Sequence, residues 1–162
     1  MKRMICFIMI VSTLFLFSSC ELSSQPAEDS VIFYYRSPKA EFGSQAELII
    51  GEVRDAKGHT EDYSFLIEQY FNGPRTYDCI SPFPAGTTLE ELSFDSSKAY
   101  IVLTSQIATL SGSELMLACA CLTKTVLEIT GVDSVQISSS NGTLNAMESI
   151  TLSADSFTYL LE

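Results

Sequence analysis

The chain has 162 residues, 46% of them hydrophobic, with nine Lys/Arg against twenty Asp/Glu and a formal net charge of −11. A surface this acidic is repelled by phosphate backbones and anionic lipid headgroups, which argues against nucleic acid and charge-driven lipid binding. The length suits one compact domain with a sizeable core.

The chain opens with Lys2 and Arg3, followed by a nearly unbroken apolar run, Met4–Phe17, and then Ser18-Ser19-Cys20. A basic start, an apolar stretch and small residues at a cut are the plan of a secretory signal peptide. As a helix the run reaches roughly 21 Å, short of a hydrocarbon core about 30 Å thick. Phe17-Ser-Ser-Cys20 resembles the lipobox of bacterial lipoproteins, with Phe17 where that motif prefers Leu. The expectation is a signal peptide over 1–19 and a diacylglycerol on Cys20; ordinary secretion with a cut near Cys20 is the alternative. Two acyl chains hold a protein lastingly, one only marginally. Loss of Lys2 and Arg3 leaves seven basic residues against twenty acidic ones, a formal −13 for the mature chain. Residues 20–30 are polar, contain Pro26 and read as a lipidated tether.

Val31–Tyr35 is β-branched and aromatic and predicts a strand buried on both faces. Pro38 and Gly43 mark a turn, and residues 46–56 alternate around Leu48, Ile50 and Val53 as a second strand paired with the first. Residues 62–72 predict a helix, with Tyr63, Phe65, Leu66, Tyr70 and Phe71 as its stripe, Thr60 or Asp62 as its cap and Gly73-Pro74 as its stop. A long loop with Pro82, Pro84 and Gly86 precedes two extended runs, 89–94 and 99–105, split by a polar turn: a hairpin. Ser111-Gly-Ser-Glu114 spells a capping box. It opens a second helix to about Ile129, with Leu115, Ala118, Cys119, Leu122, Val126 and Ile129 on one face and Gly131 closing it. Val135–Ser138 is a further strand, and Ile150–Leu152 in the 145–162 extension reads as an edge strand. The order β-β-α-β-β-α-β predicts an α+β single domain, with both helices on one face of a mostly antiparallel sheet.

Cys6 leaves with the signal and Cys20 carries the lipid, so Cys79, Cys119 and Cys121 remain. On a helix, Cys119 and Cys121 lie about 200° apart and cannot bridge each other. One of them faces inward, and a Cys79 bridge to either stays open. No C-x₂-C pair exists and His59 is the only histidine, so no metal site and no cofactor is expected.

These segments resemble the GerMN domain family of sporulation and spore germination proteins over residues 31–144. The matching features are the opening strand, Glu52-Val-Arg54 ending the second strand, the Gly73-Pro74 helix stop and Pro84-Ala-Gly86-Thr87. The Gly112-Ser113-Glu114 helix start, Thr125 within that helix and Val132-x-x-Val135-x-Ile137 complete the set. The resemblance implies an extracytoplasmic domain with a fold like ring-building motifs, borne on a lipoprotein or behind a membrane anchor and linked to envelope-spanning complexes. It carries over no catalytic residues. One copy is expected here, where the family's namesake has two.

Catalytic signatures are missing from the sequence: no G-x-S-x-G, H-E-x-x-H or G-x-x-x-x-G-K occurs. Cys79 follows Thr76-Tyr77-Asp78, with Pro82 where the Ser-His-Gly-Cys-x-x-Arg pattern of wall-active transpeptidases needs its Arg. Glu90 and Glu91 alternate across a strand and so do not share a site. The expected functional surface is the proline-stiffened loop 73–88, presenting Tyr77, Ile80 and Phe83 to envelope proteins; the alternative is that these side chains fold back onto the sheet. The expectation is thus a non-catalytic interaction or assembly module, lipid-anchored outside the cell membrane. Homo-oligomeric packing stays open, against the repulsion of like charge. The competing readings are an accessory lipoprotein that binds a wall fragment or small ligand, and a hydrolase built on dispersed carboxylates.

Overall fold

A computed structural model describes residues 29–40 and 47–157; the signal segment, Cys20 and most of the tether lie outside the described residues. β1 (Ser30–Arg36) and β2 (Ile49–Asp55) form an antiparallel ribbon in which Phe33 lies opposite Glu52 and Tyr35 opposite Ile50. Strand alternation gives the ribbon two faces. Phe33 and Tyr35 are buried on one of them, against α1 (Tyr63–Phe71). There the Tyr35 and Tyr70 rings stack at 4.8 Å, and Phe33 meets Tyr70 edge-on at 5.7 Å. Each of the two tyrosine hydroxyls donates to the other segment's backbone, Tyr35 to Tyr70 O at 3.1 Å and Tyr70 to Tyr34 O at 3.0 Å. The Asp62 carboxylate caps α1 by accepting from Phe65 N at 3.1 Å.

The remaining strands form a second sheet in the order β3-β4-β5-β6, comprising β3 (Leu89–Asp95), β4 (Lys98–Leu103), β5 (Ser134–Ser139) and β6 (Ser149–Ser153). β3–β4 is the expected hairpin and β5–β6 is antiparallel, whereas β4 and β5 run parallel. That parallel pair needs a crossover, which a 3-10 turn (Ser105–Thr109) and α2 (Gly112–Thr130) supply. The α+β class and the predicted order hold. The strands, however, divide between two sheets rather than one, and residues 149–153 are a full edge strand of the second.

α2 explains the division. It contacts β1 on one side and β5 and β6 on the other, and it is buried almost all round, at Leu115, Leu117–Thr123, Thr125 and Val126. The one-sided helix expected from its apolar face is therefore corrected: a helix enclosed by two sheets hides most of its circumference. Both Cys119 and Cys121 are buried, where one inward thiol was expected, and neither they nor Cys79 form a disulfide. The capping box is corrected too. Ser111 is the N-cap but makes no side-chain cap bond, and Gly112 begins the helix at φ +54, a left-handed residue that a Ser-initiated box does not contain. Gly131 ends α2 as predicted, at φ +71 with its N–H on Leu127 O.

Candidate interaction surface

The loop from Gly73 to Thr88 is fastened at its root by two charged side chains of β2. Glu52 and Arg54 are two residues apart on a strand, so both point to the ribbon's core face, and they are only 6% and 5% exposed. Arg54 Nε donates to Glu52 Oε1, and the Arg54 guanidinium also donates to Gly73 O at 2.7 Å and lies over the Phe33 ring. Glu52 Oε2 accepts three more bonds from the loop: Arg75 N at 2.9 Å, Thr76 N at 2.8 Å and Thr76 Oγ1 at 2.9 Å. Burial by itself would push the Glu52 carboxyl up. The donors of Arg54, Thr76 and Arg75 outweigh it and hold the group below its usual value. The acidic-x-Arg segment visible in the sequence is thus a clamp on the loop. The strand spacing of two was the signal for it, although the sequence reading gave the pair no role.

Immediately after the clamp, Tyr77 is fully exposed, at 102% of its reference area, and Ile80 is 44% exposed. Phe83 is not with them. It is 8% exposed and packs edge-on against Phe71 at 5.2 Å and Tyr70 at 6.2 Å. Of the three loop residues singled out from the sequence, the structure leaves Tyr77 and Ile80 at the surface and folds Phe83 back into the core. Ile80 also lies along the free edge of β1, exchanging backbone bonds with Arg36 at 3.1 and 2.9 Å. The surface segment Tyr77–Ile80 is therefore held at both ends, by Glu52 before it and by β1 after it.

Chemistry of other kinds finds little here. His59 stacks on Phe65 with Nδ1 3.7 Å from Asp62 Oδ2, and both side chains are about half exposed, in an open turn. Among the described residues no group of three or more His, Cys, Asp or Glu could hold a metal ion. Among the same residues no helix is long and apolar enough to cross a membrane.

A family model described as Germane, sporulation and spore germination, matches residues 32–145. No curated protein matches. Among solved structures, a Clostridium perfringens protein described as a lipoprotein is similar with a TM-score of 0.50 and 16% identity, over 78% of this chain and 87% of that one. The tandem GerMN domains of the sporulation protein GerM from Bacillus subtilis are similar with the same TM-score and identity, over 73% of this chain. That match takes in 44% of the tandem chain. At such identity the likeness is one of fold.

Proposed function

We propose, from the premise that this chain belongs to the Germane family of sporulation and spore germination, that it is a non-catalytic docking module held outside a bacterial membrane by a lipid on Cys20. The observation that carries this reading is Tyr77, a fully exposed aromatic on a segment whose root is bound by a buried carboxylate. A large side chain on a pre-ordered backbone loses little entropy when it meets a partner, and aromatic residues at the centre of an interface supply much of its energy. Ile80 extends the same contact. The acidic balance of the chain favours a partner that surrounds this contact with basic groups. The basic start, the apolar run and Phe17-Ser-Ser-Cys20 support the anchor. Confinement to a membrane plane raises the effective concentration of the module for neighbours in that plane.

The test is in-cell crosslinking of the full-length protein, with Cys20→Ala and Tyr77→Ala forms beside it. Defined envelope proteins are expected with the wild type and lost from both variants. Tyr77→Ala should keep the melting temperature of the wild type, since an exposed side chain contributes within about 0.5 kcal/mol. Recovery of the protein alone would sink the docking reading. Partners retained by Tyr77→Ala would move the contact away from this loop.

A further inference from the structure

The β1–β2 ribbon has two edges, and among the described residues only one is closed. Along β1 the outward amide of Tyr34 meets Thr125 and that of Arg36 meets Ile80. The bonds that bracket the ladder, Ala56 N to Asp29 O at 2.8 Å and Ser37 N to Leu48 O at 2.9 Å, fix its phase. Antiparallel bonds fall on every second residue, so Ile49, Gly51, Val53 and Asp55 turn their N–H and C=O groups away from β1. Among the described residues no backbone group pairs with those four. Gly51, Val53 and Asp55 are exposed, Val53 at 60%.

An open edge is a template for another strand, and proteins blunt it with charge, a bulge or shortness. The four-stranded sheet has those defences. β3 carries exposed Glu90, Glu91 and Asp95 and a bulge between Leu89 and Glu91, and β6 has only five residues. β2 instead pairs in unbroken register over seven residues without a proline, and its Glu52 and Arg54 neutralise each other. The occupant that fits is the same strand of a second copy. Antiparallel pairing of identical edges is two-fold symmetric, and outward residues must face outward ones. Centred on Glu52, the pairing would oppose two like carboxylates, which is unfavourable. Centred on Val53, it sets Glu52 opposite Arg54 of the second copy and Arg54 opposite its Glu52, so the contact is charge-complementary where the chains as a whole repel. Ile32 already lies opposite Val53, so this register also makes one row of four β-branched side chains across the outer face.

We propose that β2 pairs with β2 of a second copy across a two-fold axis at Val53, joining two ribbons into one four-stranded antiparallel sheet. Val53, Gly51 and Asp55 of the two copies exchange roughly six backbone hydrogen bonds. The pairing gives each ribbon the further strands that a two-stranded unit needs for stability. It stands apart from the docking reading, since Tyr77 lies on another segment.

The experiment follows the full-length chain by sedimentation equilibrium in detergent and by mild oxidation of cysteine variants in membranes. The wild type should form dimers in a concentration-dependent way, and Tyr77→Ala should do the same. Val53→Lys sets two ammonium groups on the axis and should raise the dissociation constant by about tenfold or more. At a concentration where both are monomeric, its thermal midpoint should match that of the wild type, because the side chain is exposed. Val53→Cys should give a disulfide-linked dimer, and Thr151→Cys on the β6 edge should not. A wild type that stays monomeric, or a dimer that Val53→Lys leaves unchanged, would overturn the proposal. So would equal cross-linking of Val53→Cys and Thr151→Cys, which would report random collision. Loss of the dimer in Tyr77→Ala would move the contact to the loop and overturn it as well.

Discussion

Glu52 is buried and charged at once because the donors around it replace the water it has lost. Burial opposes the charge, but the hydrogen bonds from Arg54, Thr76 and Arg75 hold its carboxyl below the usual 4.5. A carboxylate whose pKa is lower folded than unfolded contributes stability above its unfolded value and loses it as pH falls through its folded one. Wild-type stability should therefore decline as pH drops below about 4.5, the ordinary glutamate value. Glu52→Gln should lack that part of the decline. At neutral pH it should be less stable by about 3–5 kcal/mol, because Arg54 is left buried without its counter-charge. Urea melts of both proteins between neutral and acid pH check this, and parallel curves would show that other carboxylates govern acid unfolding. Phe83, two bonds of logic away in the same loop, shows why loop residues resist sequence reading. Its type and its proline neighbours suit an exposed tip as well as a core plug, and only the position of Phe71 and Tyr70 decides.

α2 is the element on which both sheets depend, and its sequence was read in part. Its length, its Gly131 stop and its inward residues followed from periodicity. Its enclosure did not, although Leu117, Ala120, Cys121 and Thr125 off the expected stripe were already apolar or small. Burial pushes the Cys119 thiol up to about 12, and that of Cys121 up to about 12 by burial first, with Lys124 and Arg36 opposing. Such thiols serve as small apolar filling. The division of the strands was equally hidden, since local pattern states that a segment is extended but not which neighbour it pairs with. The tie between helix and ribbon is Thr125, whose hydroxyl accepts from Tyr34 N at 2.8 Å and donates to Cys121 O at 3.0 Å. Here a helix side chain does for the free edge of β1 what a third strand would do. Thr125→Val keeps the shape and removes the acceptor, so it should destabilise by about 1–3 kcal/mol. Amide exchange at Tyr34 should rise more than at its neighbours in β1; an unchanged rate there would mean that the bond does not hold the edge.

At the scale of the whole molecule, the question is whether two sheets make two folding units. A two-stranded ribbon is marginal in water by itself, and among the described residues α1, α2 and the clamped loop cover β1–β2. The buried core runs without a break from Phe33 and Tyr35 of the ribbon through Tyr70, Cys119 and Leu122 to Ile101, Val135 and Ile137 of the four-stranded sheet. Removing α2 from that cluster would strip both sheets at once, so neither can outlast the helix. Unfolding should then be a single cooperative event. Hydrogen exchange of the slowest amides in β1 and in β4–β5 should report one opening free energy, and Thr125→Val should lower both by the same amount. A lower value in β1 alone would show that the ribbon opens by itself. The docking surface would then belong to a mobile unit rather than to a rigid one, and the entropic advantage argued for Tyr77 would be lost with it.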